Sequence, residues 1–348
     1  MGGRIRLVGA LAVPLVLGLV LAAGPATAQG DSSVDRAHQW LDRQRKADGS
    51  FNDGVFNPVD LTSYAVMAEV AAGASPPQAT LSWLRGSSAA VGYARKGPGA
   101  AAKVALALES AGGDPGELLS AIERAARGAT FAGAAGDFDV ALAVLALRGG
   151  GKEVPATVLD GLASRQQADG GWGLAKGQPS DTNTTAVVLM ALARAGRGGS
   201  PAARRGTAFL DGQQFGSGGW GYDRRSKDVK AMDANSTGLV LSALSALGVD
   251  QSGKARSGVT PRDALLRLQV PSGGFAFGPD KAKAGTADQL ATAQAVIGLA
   301  GKSLPVERPK ASDLSIESNR AFQVALAVLV GVALIAATLG VLVTRRGS

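Results

Sequence analysis

The stretch that decides the fold is RGTAFLDGQQFGSGGW, residues 205–220. Its fixed positions are an Arg-Gly pair, a Phe-Leu pair, a Gln, and a Gly-x-Trp ending. The ending recurs in two further places, and a weaker copy at 36–51 has Arg45 at the Gln position. A helical pattern follows each copy, so together they indicate a repeated unit. The Gln and aromatic positions of the stronger copies are Gln166 and Trp172, Gln214 and Trp220, and Gln269 and Phe275.

Physical chemistry gives this unit a structural task. A helix that carries Phe209 and Leu210 should end near Gln214, and the glycines that follow supply backbone with positive φ for a tight turn. Trp220 then covers the apolar layer between this helix and the next, and its ring N–H or the Gln amide can bond free backbone groups. We therefore expect the Gln and aromatic residues of the repeat to stabilise the fold rather than to react.

The pattern resembles the QW repeat of the terpenoid cyclase and protein prenyltransferase family, the prenyltransferase and squalene oxidase repeat. The resemblance rests on copies spread over residues 36–275. It implies helical hairpins that close on themselves, with the second helix of each hairpin in an inner ring.

Helical hairpins recur between residues 29 and 301 with a period of about 40–50 residues. Their second helices are apolar on every side, which indicates burial all round and leaves room for a cavity on the axis. We predict an all-α fold, an (α/α)6 toroid of six helical hairpins, plus a C-terminal transmembrane helix. The first helices are predicted at Val34–Gln44, Ala79–Arg85, Glu117–Ala126, Ala156–Gln166, Pro201–Gln213 and Pro261–Leu268, and the second at Leu61–Ala72, Ala101–Ala111, Asp139–Leu147, Thr184–Ala195, Ser236–Leu247 and Ala291–Ala300.

Both ends of the chain carry membrane-related signals. Residues 1–28 are typical of a signal peptide, with an apolar run and a small-x-small cleavage site that ends at Ala28. Val324–Val343 holds 20 residues without a charge, enough to cross about 30 Å of hydrocarbon. Arg345 and Arg346 follow and mark that side as cytoplasmic. We predict an ectodomain at 29–301 on the bacterial cell surface, a linker at 302–320, a transmembrane helix at 321–343 and a cytoplasmic tail at 344–348.

Composition excludes several kinds of chemistry. The chain has 348 residues, no Cys and one His, His38, so it forms no disulfide and offers no thiolate ligand or nucleophile. The chain carries 36 basic and 28 acidic residues, and the four arginines of the targeting ends account for half of the difference. The remaining charge is mild and scattered, so nucleic acid is not an expected partner.

Polar phrases open several of the second helices. Asp181-Thr-Asn183-Thr-Thr-Ala and Asp233-Ala-Asn235-Ser-Thr-Gly resemble the Asp-x-Asp-Asp-Thr-Ala phrase of squalene-hopene-type cyclases, whose middle Asp protonates the substrate. Here an amide stands at that position, and an amide cannot supply the proton. Such residues are good helix N-caps, and a ring of them around one mouth can also bind a ligand. The ligand-binding candidates are Tyr64, Asp137, Asp139, Asp181, Asn183, Asp233, Asn235 and Asp288, and Asp137 with Asp139 stays open as the acid/base pair of a toroidal glycosidase or lyase.

The enzymes of the resembled family fit this chain poorly at the sequence level. Carbocation cascades need aromatic faces, and the inner helices offer little beyond Tyr64 and Phe138. The resembled cyclases use two helical domains, whereas one is predicted here. Protein prenyltransferases hold Zn²⁺ with Asp, Cys and His, and the absent Cys also excludes a complement-like thioester. We expect no catalytic residue, no metal and no cofactor.

The function predicted from the sequence is therefore a membrane-anchored toroidal binding module, without catalysis, for a bulky small molecule. The nearest analogue is the toroid of intrinsic-factor and transcobalamin-like proteins, which suggests a corrinoid-like ligand. Those proteins add a small β-domain, so a β-domain partner chain or a transporter is an expected partner. The alternatives are a divergent terpene cyclase or prenyltransferase-like enzyme, and a structural or interaction ectodomain.

Overall fold

The computed structural model describes residues 26–307, and these are predominantly helical with two short β-hairpins. The all-α prediction is confirmed. The helices are α1 (Ala26–Gln44), α2 (Pro58–Ala71), α3 (Gln78–Gly86), α4 (Ser88–Ala94), α5 (Pro98–Ser110), α6 (Gly116–Ala125), α7 (Asp137–Gly149), α8 (Ala156–Ser164), α9 (Thr182–Arg194), α10 (Pro201–Gln213), α11 (Ala234–Ala246), α12 (Pro261–Leu266), α13 (Pro279–Lys283) and α14 (Gln289–Leu299). The strands are β1 (Ala126–Arg127), β2 (Thr130–Phe131), β3 (Trp172–Gly173) and β4 (Ser180–Asp181).

Six of these helices are apolar all round and form the centre of the molecule. They are α2, α5, α7, α9, α11 and α14, the helices predicted as second helices. Each packs against the next in chain order, and α14 packs back against α2. In α9 every residue from Thr184 to Leu192 is buried, as a helix apolar on every side requires. We call these six helices the inner helices.

Local sequence explains where the inner helices begin. Pro58 and Pro98 stand at the first position of α2 and α5, where a missing N–H costs nothing. Asp181, Asp233 and Asp288 cap α9, α11 and α14, and one carboxylate oxygen of each accepts a backbone N–H three residues on, at 2.7 Å. These caps are the N-terminal signals that the polar phrases predict.

The aromatic residue of the repeat links its turn to the next inner helix. Trp220 is fully buried, its backbone N–H donates to Thr237 Oγ1 at 3.0 Å and its ring N–H donates to the Leu210 carbonyl at 2.7 Å. Trp172 repeats both bonds, to Thr185 Oγ1 and the Leu162 carbonyl. In the other two copies the backbone N–H of the aromatic residue donates in the same way, from Phe51 to Thr62 Oγ1 and from Phe275 to Thr292 Oγ1.

The Gln of the repeat clamps neighbouring outer segments together. The Gln214 amide donates to the Gly218 carbonyl of its own turn at 2.8 Å and to the Lys254 carbonyl at 2.7 Å. Its oxygen accepts from Arg256 Nε at 2.9 Å. Gln166 makes the same three kinds of contact: its amide donates to the carbonyls of Gly170 and Ala202, and its oxygen accepts from Arg205. The Gln269 amide likewise donates to the carbonyls of Gly273 and Ser33, and its oxygen accepts from Arg36.

The first glycine of each ending has the positive φ that the turn requires. Gly218 has φ +95°, and a Cβ there would stand 2.8 Å from the Val259 carbonyl oxygen. Gly170 and Gly273 have φ +87° and +102° with similarly close neighbouring backbone. The turn therefore needs glycine both for its conformation and for the close approach of the next outer segment.

Several predictions about the ends fall on parts of the chain that the structure leaves undescribed. The signal peptide at 1–28 lies outside the described residues except for its last three positions, and the transmembrane helix at 321–343 and tail at 344–348 lie wholly outside them. Across residues 26–307, no helix has the length and apolar character needed to cross a membrane. Within the segment predicted as a linker, Leu304 and Val306 are buried against the helices.

Candidate functional site

The inner helices present their N-termini at one end of the molecule. The N–H of Thr182, at the start of α9, donates to the Tyr222 carbonyl at 2.8 Å. The N–H of Ala234, at the start of α11, donates to the Phe277 carbonyl at the same distance. Both of these helix starts are thus held by the loop that follows the next repeat's turn. The polar candidates of the sequence gather at this end.

Asp181, Asp233 and Asp288 act as caps in the structure. Besides the backbone bond, Asp181 accepts from the Thr184 hydroxyl at 2.8 Å and Asp233 from the Ser236 hydroxyl at 3.0 Å. Burial raises the pKa of Asp233 to about 6, and it also raises the pKa of Asp181 and of Asp288. The hydrogen bonds that these carboxylates accept lower all three pKa values, but burial has the larger effect. These bonds hold the three carboxylates at the starts of their own helices, and Asp181 also accepts from the Tyr222 hydroxyl of the neighbouring loop.

Asp137 and Asp139 do not bond each other. Asp137 accepts from Arg165 Nε at 2.5 Å, whereas Asp139 accepts from the Ala135 N–H at 2.9 Å. Burial raises the pKa of Asp137, and Arg165 acts in the opposite direction. The structure therefore gives these two carboxylates separate partners rather than the shared environment of an acid/base pair.

Several buried polar atoms at the inner-helix starts have no hydrogen-bond partner. Among the described residues these include the amide oxygens of Asn183 and Asn235. The Tyr64 hydroxyl and the Gln294 side chain, in the middle of α2 and α14, interact with each other. Tyr64, Asn235 and Gln294 are at most 8% exposed. Burial raises the pKa of Tyr64, as does the charge of nearby Asp60. Buried polar atoms without a partner are rare in folded proteins, and a bound polar ligand would explain those found here.

The repeat register identifies a residue that the sequence analysis missed. The Thr that accepts the aromatic N–H marks the same position in each copy, and two residues before it stand Asn183 and Asn235 in the fourth and fifth hairpins. In the first hairpin, two residues before Thr62, stands Asp60. A carboxylate thus occupies in α2 the position that the amides occupy in α9 and α11. The spacing from Phe51 to Thr62 is the signal that could have found it.

Asp60 is the centre of a hydrogen-bonded group at the start of α2. Its Oδ1 accepts from the Tyr93 hydroxyl of α4 at 2.5 Å and from Lys103 Nζ of α5 at 2.5 Å. Lys103 Nζ also lies 3.1 Å from the Tyr93 hydroxyl oxygen. Asp60 and Lys103 are about one-fifth exposed, so the group is accessible. We call Asp60, Tyr93 and Lys103 the Asp60 cluster.

Aromatic rings and a second carboxylate surround the Asp60 cluster. Lys103 Nζ lies 5.8 Å from the centre of the Tyr93 ring and 5.9 Å from that of Phe138. Burial raises the pKa of Tyr93, and the charges of Asp60 and Asp139 act in the same direction. Tyr64, Phe138 and Asp139, which the sequence analysis named, therefore converge here. The capping aspartates and the two asparagines belong to other inner helices.

Two of the cavities among the described residues lie near the α4–α7 region. A cavity of about 760 Å³ is lined by Asp137, Val140 and Arg165 and by the loop 175–179. Another of about 710 Å³ lies between α4, α5 and α6 and is mostly apolar. Neither is lined by Tyr64 or Asn235. No group of three or more His, Cys, Asp or Glu side chains within residues 26–307 is placed to hold a metal ion.

Solved structures of the type II terpene cyclase MstE from Scytonema are similar to this chain. A variant without ligand has a TM-score of 0.56 and 15% identity, over 79% of this chain and 97% of that chain. The ligand-free cyclase has a TM-score of 0.53 and 15% identity, over 78% and 98%. A second variant, in complex with its product merosterolic acid A, has a TM-score of 0.52 and 15% identity, over 79% and 97%. No family model matches the chain, and no curated protein matches it.

These similarities contradict the functional prediction. The similar structures are terpene cyclases, and one holds a product, so they favour the enzyme alternative over a non-catalytic binding module for a corrinoid-like molecule. The single predicted domain is no argument against a cyclase either, because 79% of this 348-residue chain covers 97% of a type II cyclase. An identity of 15% shows the fold alone, and in fold this chain resembles the terpenoid-cyclase-like α-α toroid.

Proposed function

We propose that this protein is a terpene-cyclase-like enzyme that starts the cyclisation of an isoprenoid chain by proton transfer at the Asp60 cluster. The observation that carries the proposal is the contact of a carboxylate, a phenol and an ammonium group within 3.1 Å of one another. Proton transfer by a positioned side chain typically contributes about 10²–10⁴-fold to a rate. The fold likeness to type II terpene cyclases supports the substrate class.

The position of Asp60 supports its role as the proton-transfer residue. In the phrase of squalene-hopene-type cyclases, the protonating Asp stands two residues before the Thr. Asp60 stands two residues before Thr62, whereas the fourth and fifth hairpins carry amides there. For the transfer Asp60 first takes up a proton from water on Oδ2, the oxygen that does not accept from Tyr93 and Lys103, and passes it to the alkene. The carboxylate left behind is then stabilised by the Lys103 ammonium charge beside it.

The surroundings of the cluster suit a cationic intermediate on carbon. The Phe138 ring lies next to the cluster and the Tyr93 ring is part of it, and aromatic faces attract a positive charge within about 6 Å. In the reaction a proton adds to an alkene carbon, a ring C–C bond forms, and a proton leaves a carbon next to the resulting cation and passes to water. The product is an isomer of the substrate. A cavity of about 760 Å³ lies at the start of α7, lined by Asp137, the residue next to Phe138, and by Val140.

We further propose the finer architecture and placement that the sequence predicts. The inner helices, each paired with an outer helix, are consistent with an (α/α)6 toroid of six hairpins. The apolar run Val324–Val343 followed by Arg345 favours a single membrane span with the helical domain outside the cell. Protease added to intact cells should then remove most of the protein. Full protection under conditions that digest a known surface protein would contradict this placement. A transporter or a β-domain chain stays a proposed partner.

Asp60→Asn tests the proposed function. The full-length protein is incubated with squalene, with linear polyprenyl diphosphates and with prenylated aromatic acids, and the products are analysed by gas chromatography and mass spectrometry. We expect at least one substrate to give an isomer of equal mass, and Asp60→Asn to slow its formation by about 10²-fold or more. Asp250→Asn is the matched control, because Asp250 is exposed and only bonds Ser252 in its own loop. Equal product from Asp60→Asn would contradict the assignment.

A further inference from the structure

At the opposite end of the inner helices, the chain carries a buried carboxyl group that the proposed reaction does not use. Glu109 is the penultimate residue of α5. Both of its carboxyl oxygens are buried and have no hydrogen-bond partner among the described residues. A buried polar group without a partner is costly to the fold unless a ligand satisfies it.

A cavity of about 370 Å³ lies against this carboxyl group. Its walls are the C-terminal ends of α5, α7 and α9 together with residues 305–307. A Cβ on Gly149 would collide with Oε2 of Glu109 and stand 2.6 Å from Cγ of Pro305. The glycine therefore leaves open a space that any larger residue would close.

The segment that covers this cavity is fixed in place. The Val306 N–H donates to the Ser110 hydroxyl at 2.9 Å, and Val306 is 1% exposed. Glu307 forms an ion pair with Arg194 at the end of α9. The cavity is thus a defined part of the fold.

The charges around Glu109 favour a cation. The charged side chains that line the cavity with it are Arg194 and Glu307, which neutralise each other. The C-terminal ends of three helices add negative partial charge. Burial raises the pKa of Glu109 to about 8, against the Arg194 charge that lowers it. The empty site is therefore mostly neutral at pH 7, and it becomes negative when Glu109 loses its proton.

We propose that this cavity binds a small organic cation with N–H donors, an ammonium or guanidinium group, on the Glu109 carboxylate. Two carboxylate oxygens without partners match two N–H donors of one such group. A hard metal ion is a poorer match, because Ca²⁺ takes six to eight oxygen ligands. Binding removes the proton from Glu109, so the affinity should rise with pH up to about pH 8.

Calorimetric titration of the full-length protein tests this site. Methylguanidinium and methylammonium are the probes, at pH 6, 7 and 8 and constant ionic strength. We expect saturable binding of at least one of them, about tenfold tighter at pH 7 than at pH 6, with a smaller gain from pH 7 to 8. Tetramethylammonium, which has no N–H donor, and K⁺ should not bind at this site. Equal binding of tetramethylammonium, or no binding of either probe, would overturn the proposal.

Two variants locate the site. Glu109→Gln keeps the side-chain shape and should weaken binding at least tenfold and abolish its pH dependence. Gly149→Ala keeps Glu109 but narrows the cavity, and it should weaken binding as well. Glu123→Gln, on the exposed side of α6, is the control and should bind as the wild type does. Unchanged binding in Glu109→Gln would refute the site. If that variant does not fold, NMR titration of Glu109 in the wild type decides: the probe should lower its pKa, and an unchanged pKa would refute the site equally.

Discussion

At the residue scale, a few side chains do the same work in successive repeats. An aromatic residue fills the layer behind the turn, a Thr hydroxyl accepts its backbone N–H, and a Gln amide reaches the neighbouring outer segment. In the first hairpin Arg45 replaces the Gln, bonds Thr80 Oγ1 at 2.8 Å and pairs with buried Glu69. Its guanidinium also lies 5.0 Å from the centre of the Phe51 ring. Arg45 thus stands at the Gln position of the repeat and makes charged contacts where the other copies make amide contacts.

Trp220→Ala should destabilise the fold strongly. Trp220 is fully buried and bonded through both nitrogens, so its loss removes apolar contacts, leaves a cavity and costs about 3–5 kcal/mol. Chemical denaturation measures the loss. Trp83→Ala is the control, because Trp83 is only partly buried and should cost clearly less. Equal losses in the two variants would mean that the turn does not pack as described.

Asp233 predicts a pH dependence of stability. Its pKa is raised from 3.8 to about 6 by burial, so the protonated side chain stabilises the folded state. This stabilisation is complete below pH 3.8 and is lost as the pH rises through 6. Asn caps about as well as Asp and does not titrate. Between pH 4 and 7, the wild type should therefore lose about 2–3 kcal/mol of unfolding free energy relative to Asp233→Asn, as measured by chemical denaturation. A constant difference would show that Asp233 is not desolvated.

At the scale of the elements, two inner helices approach unusually closely through glycine. A Cβ on Gly238 of α11 would stand 2.5 Å from the carbonyl oxygen of Gln294 in α14. A Cβ on Gly298 would stand 2.6 Å from the Gly238 carbonyl oxygen. The two glycines thus set the distance between α11 and α14.

Gly238→Ala should destabilise the protein although Ala favours helices. The gain in helix propensity is about 1 kcal/mol, and the clash with backbone costs about 1–3 kcal/mol or more. Gly92→Ala in α4 is the control, because a Cβ there meets nothing within 4 Å and should be neutral or stabilising. Thermal unfolding of both variants measures the difference in sign. A stabilising Gly238→Ala would contradict the close packing of α11 on α14.

The sequence predicts these elements well and their tertiary contacts poorly. The predicted first and second helices match observed helices within about three residues, except that α1 begins earlier, since Pro, Gly and N-cap signals are local. Helix α4 was missed because its short run of small residues has no periodic apolar pattern. Asp60 was missed because its partners Tyr93 and Lys103 lie 33 and 43 residues away. Only the fold brings such residues together.

At the scale of the whole molecule, the last repeat bonds the first. The Gln269 amide donates to the Ser33 carbonyl at 2.8 Å, and Arg36 donates to the Gln269 oxygen at 2.6 Å. Helix α14 also packs against α1 and α2. The same clamp that joins consecutive outer segments therefore joins the two ends of the array. The Asp60 cluster lies at the start of α2, the inner helix against which α14 packs.

The formation of product in D₂O tests the central claim most directly. If the Asp60 cluster delivers an exchangeable proton to an alkene carbon, the isomer formed by the full-length protein in D₂O should be about one mass unit heavier than the isomer formed in H₂O. Asp60→Asn should form little of either, and Asp250→Asn should form both. A product whose mass is the same in D₂O and H₂O, or no product from any isoprenoid substrate, would contradict the proposed proton transfer.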